Sequence, residues 1–183
     1  SGPANGWWVG GSPTIDNGIY SGEIYDARIE EKYPLNWATL DYEPTWANGW
    51  MYTIATDAPR GKLVSQYINP IKVCGTFKEV SRENKGNGVF VSDMGANFAG
   101  WVRIKVKGER GAAVTMKFGE RLDDNGFVNQ LNLRSARCSD KYILRGDGIE
   151  EFAPRFTYHG FQYVEFVIEG NAELLEVVGE HVH

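Results

Sequence analysis

A chain of 183 residues, 42% hydrophobic and 23% charged, suits one domain or one and a fraction and carries enough apolar material for a sizeable core. Its net charge of −5 argues against a nucleic-acid surface, which needs clustered Lys and Arg to displace counterions from phosphates, and points to a neutral partner. No apolar run approaches the ~20 residues that cross a bilayer, so no membrane partner is expected.

Aromatic residues at 13% and 22 glycines imply many short strands joined by tight turns. The chain opens at Ser1-Gly-Pro-Ala4 without an initiator Met, as an excised fragment or processed product would, so a missing N-terminus could hide an export signal. Asp16 and Asn17, followed by Glu23 and Asp26, offer oxygens of the kind that hold Ca²⁺. They lack a regular D-x-D-x-D spacing, and Asp-Asn-Gly is also an ordinary turn. Calcium is therefore a possible cofactor, and no other cofactor is indicated.

Residues 24–29 read as a strand. Residues 31–48 hold Pro34 and Pro44 and no helical period, which predicts a long surface loop with at most one short helical turn. Strand-like runs follow at 49–54, 62–67 and 71–74, and the polar stretch 81–88 reads as a wide hairpin loop or a linker. From Trp101, Val102, Ile104 and Val106 share one face and Arg103, Lys105 and Lys107 the other, the pattern of a half-buried antiparallel strand. After the turn at 108–111, Val114, Met116 and Phe118 alternate in a strand expected to return as a hairpin partner. Asp123-Asp-Asn-Gly126 predicts a turn, 141–144 a strand, 145–148 a turn and 156–169 a long strand with Val164, Phe166 and Ile168 on one side. A final strand spans 174–182, and no long helix is expected anywhere.

Candidate chemistry is sparse. There is no Gly-x-Ser-x-Gly elbow, no cysteine beside a recognisable base and no His-Glu-x-x-His, and two of the three histidines close the chain in Glu180-His-Val-His183. His159, inside the long strand, reads as a hydrogen-bonded structural histidine. Cys74 and Cys138 have no metal-type spacing and read as buried thiols, with a disulfide as the alternative if the protein is exported. Glycoside hydrolysis would need two carboxyl groups, yet most of the acids fall in turns (Asp123, Asp124, Asp147) or at solvent-facing strand positions (Glu165, Glu169). No catalytic residue is nominated. Sugar sites stack aromatic rings on apolar C–H faces, and although most Trp in a β domain fill the core, the loop-borne Trp37, Trp46 and Trp50 are the candidates for carbohydrate contact.

Several motifs in order carry a resemblance. The segment from Gly11 to Arg28 contains Ile19-Tyr-Ser-Gly-Glu-Ile-Tyr-Asp-Ala-Arg28. The segment 89–120 contains Asp93-Met-Gly-Ala-Asn-Phe-Ala-Gly-Trp101, and Asn132-Leu-Arg-Ser-Ala-Arg-Cys-Ser-Asp140 and Pro154-Arg-Phe-Thr-Tyr-His-Gly-Phe-Gln-Tyr-Val-Glu165 follow. Together they resemble bacterial α-L-rhamnosidases, inverting glycoside hydrolases. Met94 and Ala96 stand where that family more often has Phe and Gln.

The resemblance implies an all-β, antiparallel β-sandwich of jelly-roll or concanavalin-like type with little or no helix. It implies one sandwich domain over 1–183, in which 1–80 resembles the end of an N-terminal jelly-roll plus a connector and 88–170 the concanavalin-like core. The parent would remove terminal α-L-rhamnose using an acid and base in a C-terminal α/α barrel, which is not expected in this chain and would be its partner. Some relatives bind rhamnose through calcium in the preceding jelly-roll.

Two functions follow: a non-catalytic accessory domain that supports or orients the barrel, or a carbohydrate-binding module for rhamnose-containing glycans. A stand-alone structural or adhesion sandwich is a third. A periplasmic or extracellular location is favoured over the cytoplasm. Within the motif, Asp93, Gly95, Asn97, Gly100 and Trp101 read as architecture, a close backbone approach and packed bend capped by Asp93 and Asn97.

Overall fold

The computed structural model describes residues 6–183, so the expectation drawn from Ser1-Gly-Pro-Ala4 lies outside the described residues. The fold is all-β, and the chain divides into two compact units. One is built from residues up to 13 with 29–70, the other from 14–28 with 71–183. The smaller unit holds two short strands, β1 (Trp8–Val9) and β4 (Met51–Tyr52), paired antiparallel with Trp8 opposite Tyr52. The larger holds β2 (Thr14–Gly18), β3 (Gly22–Asp26), β5 (Val73–Lys78), β6 (Ser81–Gly86), β7 (Val89–Gly108), β8 (Ala113–Gly119), β9 (Ser139–Ile143), β10 (Ile149–Phe152), β11 (His159–Glu169) and β12 (Ala172–Val182). Their order is β2-β3-β9-β8-β11-β7-β12-β5, with β6 and β10 also on β7. Among the described residues every pairing is antiparallel except that of β3 with β9.

β7 organises this unit. Its first half pairs with β6 and β11, its second half with β10 and β12, and the handover falls at Gly100, which stands opposite both His159 and His181. Val102, Ile104 and Val106 are fully buried, as their alternation requires, and Arg103 and Lys105 lie on the other face beside Glu180 and Glu176. The inner residues of β8 (Val114, Met116, Phe118) and of β11 (Phe161, Val164, Phe166) join the same apolar cluster.

Phe161 and Val164 are both inward although three positions apart, because the register shifts between Phe161 and Tyr163. Across that shift Phe161 faces Phe98 while Tyr163 faces Asp93, so residues 94–97 bulge from β7. The motif that reads as a bend before a strand is thus a bulge in the middle of one.

Several local expectations are corrected. Residues 24–29, read as one strand, are strand only to Asp26, and Ala27–Lys32 is a 3-10 helix. β8 does not form a hairpin with β7: it pairs with β9 and β11, and Glu109 N–H donates to Asn171 O as the chain crosses over. Alternation marks a buried face but cannot tell a hydrogen-bonded neighbour from a strand facing it across a core. Residues 81–86 are a strand, not a wide loop, turned by Asn87 (φ 51°) and Gly88 (φ 76°) straight into β7. Two positive φ values make the primed two-residue hairpin that Asn-Gly favours, and the charges of Arg82, Glu83 and Lys85 suit an edge strand. Residues 62–67 form no strand, and of 49–54 only Met51–Tyr52 pairs. Glu165 does not face solvent: it is 5% exposed, accepts from Lys117 Nζ at 2.7 Å and from the Val128 amide at 3.2 Å, and so ties the loop after β8 to β11.

Candidate functional site

The tryptophans nominated for sugar contact lie in the smaller unit, placed by one turn. Residues Trp46–Asn48 form a 3-10 helix. Asn48 Oδ1 accepts from the Thr45 amide and hydroxyl, each at 2.8 Å, and Gly49 closes the turn at φ 87°. The turn sends Trp46 and Trp50 into different ring clusters. Trp46 meets Trp8 and Tyr52 at centroid distances of 6.3 and 5.0 Å. Trp50 is the hub of Tyr33, Trp37 and Tyr42, at 5.5, 6.2 and 6.0 Å, and its indole N–H donates to Tyr42 Oη at 2.9 Å. Gly10 lets these rings close up, since a Cβ there would stand 2.9 Å from Tyr33 Oη. Trp50 is half-buried, whereas Trp37 and Trp46 keep 51% and 59% of their surface exposed. The three are therefore one packing residue and two partly open rings, in separate clusters.

The oxygens nominated for calcium do not converge. Asp16 pairs with Arg137 at 3.1 Å and Asn17 is exposed. Glu23 is 1% exposed, and its Oε2 accepts from the amides of Arg155 and Phe156 at 3.0 and 2.9 Å. Asp26 is held by Arg28 through both oxygens, at 2.8 and 2.7 Å. Among the described residues no three His, Cys, Asp or Glu side chains are grouped to hold a metal ion.

In the Asp93–Trp101 motif, Asp93 Oδ1 accepts from the Gly95 amide at 2.7 Å and from Gln162 Nε2 at 3.1 Å, which ties the start of the bulge to the facing strand. Gly95 has φ 77°, and a Cβ there would meet Val80 Cγ2 at 2.6 Å. Asn97 Nδ2 donates to Glu120 Oε1 at 3.0 Å. Trp101 Nε1 and Arg103 Nε donate to the two oxygens of Glu180 at 2.7 and 2.9 Å, joining β7 to β12.

His159 belongs to a buried polar group of which its sequence neighbourhood gives no hint. The ring is 3% exposed, stacks on Phe118 at 4.2 Å, and sets Nε2 3.1 Å from both carboxylate oxygens of fully buried Asp140. Asp140 Oδ1 also accepts the Glu23 amide at 2.8 Å. Gly22 (φ 90°) permits that contact, because any Cβ there would collide with Ser139 O. Burial alone would lower the histidine pKa, but hydrogen bonds to Asp140 and Cys138 outweigh it and raise the value to about 9.

Two further readings are corrected here. Cys74 is exposed and Cys138 only partly buried, and both are free thiols. Each also lies beside a base: Cys138 Sγ is 3.4 Å from His159 Nδ1, and Cys74 Sγ is 3.4 Å from His181 Nδ1. Separations of 21 and 107 residues hide both pairs from local motifs. An open cavity of about 500 Å³ lies beside the loop after β8, lined by Asp123, Val128, Asn129, Gln130, Leu131 and Arg134. Its acid is not free, since Asp123 Oδ1 accepts the amides of Asn125 and Phe127.

Residues 83–183 match the bacterial alpha-L-rhamnosidase concanavalin-like domain, and residues 4–75 match the alpha-L-rhamnosidase N-terminal domain. An alpha-L-rhamnosidase of Streptomyces avermitilis is 33% identical over 180 residues, covering 97% of this chain and 17% of the relative. A solved alpha-L-rhamnosidase from Dictyoglumus thermophilum superposes with a TM-score of 0.82 at 36% identity, over 94% of this chain and 19% of that one. The solved Streptomyces avermitilis alpha-L-rhamnosidase complexed with L-rhamnose also gives 0.82, at 32% identity, over 94% of this chain and 16% of that one. The chain spans about 17% of the length of the first curated relatives it matches.

Proposed function

The chain belongs to the bacterial α-L-rhamnosidase family, and from that premise we propose that it is an accessory β-sandwich region of a longer glycosidase, supporting or orienting a catalytic domain carried by the same polypeptide. The carrying observation is the order of the two domain matches, N-terminal then concanavalin-like, in a chain that covers so small a share of its relatives. The longer protein would remove terminal α-L-rhamnose from glycans or glycosides. Assay of the 183-residue chain on an aryl α-L-rhamnoside tests the proposal: no turnover is expected, and measurable turnover would overturn it. Removing this region from the longer protein should lower its thermal midpoint.

A second reading, a module that binds rhamnose-containing glycans, is favoured by the two half-open rings of Trp37 and Trp46. Calorimetry with L-rhamnose, with and without Ca²⁺, tests it: saturable heat lost in Trp37→Ala and Trp46→Ala supports binding, and a flat titration at millimolar sugar rejects it.

A further inference from the structure

Cys138 enters β9 on a main chain fixed from three directions. Its N–H donates to Tyr20 O at 3.0 Å, and its carbonyl accepts from the Phe118 amide and from Gln130 Nε2, each at 3.1 Å. Its φ of 45° is a left-handed value that a cysteine holds only where its surroundings impose it. The residue is partly open to solvent, and Sγ lies 3.4 Å from His159 Nδ1. On the far side of the ring, Nε2 meets the buried carboxylate of Asp140. Sulfur, imidazole and carboxylate thus stand as nucleophile, base and the group that orients the base.

The surrounding charges favour a proton on the ring. Asp140 and Cys138 are the ionisable groups bonded to it, and Phe118 covers a ring face. Glu23, adjacent to Asp140, directs its carboxylate to the amides of Arg155 and Phe156. Glu120, near Gly160, engages Asn97, and Lys117 on β8 engages Glu165. With Asp140 accepting at Nε2, Nδ1 is the position at which the thiol proton can rest, and an imidazolium beside sulfur stabilises the thiolate.

We propose that Cys138 is a nucleophilic modification site, its sulfur set against His159 and Asp140, that takes small, soft electrophiles. With iodoacetamide as the probe, Sγ attacks the methylene carbon, the S–C bond forms as the C–I bond breaks, and iodide leaves with the bonding pair. The thiol proton remains on Nδ1, and Asp140 balances the charge. The pair formed by Cys74 and His181 has the same S–N distance, but among the described residues no carboxylate meets the far nitrogen of His181.

The test uses the 183-residue chain carrying Cys74→Ser, so that one thiol reports, with alkylation followed by mass spectrometry from pH 5.5 to 8.5. At pH 6 native Cys138 should react about tenfold faster than the same thiol in the urea-unfolded chain, and its rate should vary less than about threefold between pH 6 and 8. His159→Gln should cut the pH 6 rate about tenfold and restore a rise with pH. If that variant does not fold, the native and unfolded comparison decides alone. A native rate below the unfolded rate at pH 6, or one climbing about tenfold per pH unit as for a free thiol of pKa about 8.5, overturns the proposal.

Discussion

His159 and Gly100 are single positions at which the fold is sensitive for different physical reasons. For His159 the folded pKa of about 9 exceeds the ordinary 6.5, so its stabilisation is fully present below pH 6.5 and is lost as pH rises through about 9. A shift of that size corresponds to something on the order of 3 kcal/mol. The urea midpoint should therefore fall between pH 6 and pH 9.5, and an unchanged midpoint would mean that the ring is not the charged partner of Asp140. Gly100 is limited by space instead, because a Cβ there would collide with Glu180 O. Gly100→Ala should cost roughly 1–3 kcal/mol or more, read as a lowered thermal midpoint, since a backbone carbonyl in a ladder cannot step aside. Neither constraint is fully legible from sequence. Gly-Trp beside an alternating strand signals close packing, but Asp140 lies 19 residues from His159 and only the β8–β9–β11 pairing brings them together.

Whole strands were legible wherever alternation ran long: 102–107, 114–118 and 164–168 place the right side chains inside. Sequence failed at pairing and phase. Gln162 sits at a register shift, so the inward set of β11 changes from His159 and Phe161 to Val164, Phe166 and Ile168, and only the later half follows one period. The turn at Asn87-Gly88 carried a usable signal, but the polar strand before it resembles a loop because an edge strand needs charge rather than an apolar face. That turn can be tested against an open glycine. Gly88 (φ 76°) has Ile168 O 2.9 Å from its would-be Cβ, whereas Gly148 (φ 90°) has nothing within 4 Å. Alanine at 148 meets only the left-handed backbone cost of about 1 kcal/mol, while at 88 it meets that cost and a fixed carbonyl. Chemical denaturation of Gly88→Ala and Gly148→Ala should rank them in that order, and equal losses would remove the steric part of the argument.

For the molecule as a whole, the family resemblance and the all-β class were readable from ordered motifs, whereas ring clustering in the smaller unit was not. Trp37, Trp46 and Trp50 are close in sequence yet divide between two clusters, because Gly49 turns the chain between the last two. The larger unit has one strand that pairs along both of its halves. β7 supplies hydrogen bonds to β6 and β11 before Gly100 and to β10 and β12 after it. Opening either group of strands alone would strip one side of a strand whose other half is still pinned, so partial opening gains little chain entropy for the contacts it loses. Native-state amide exchange should therefore find β7, β8, β11 and β12 protected to a common free energy and released together as one cooperative foldon, with the β6 edge fraying earlier.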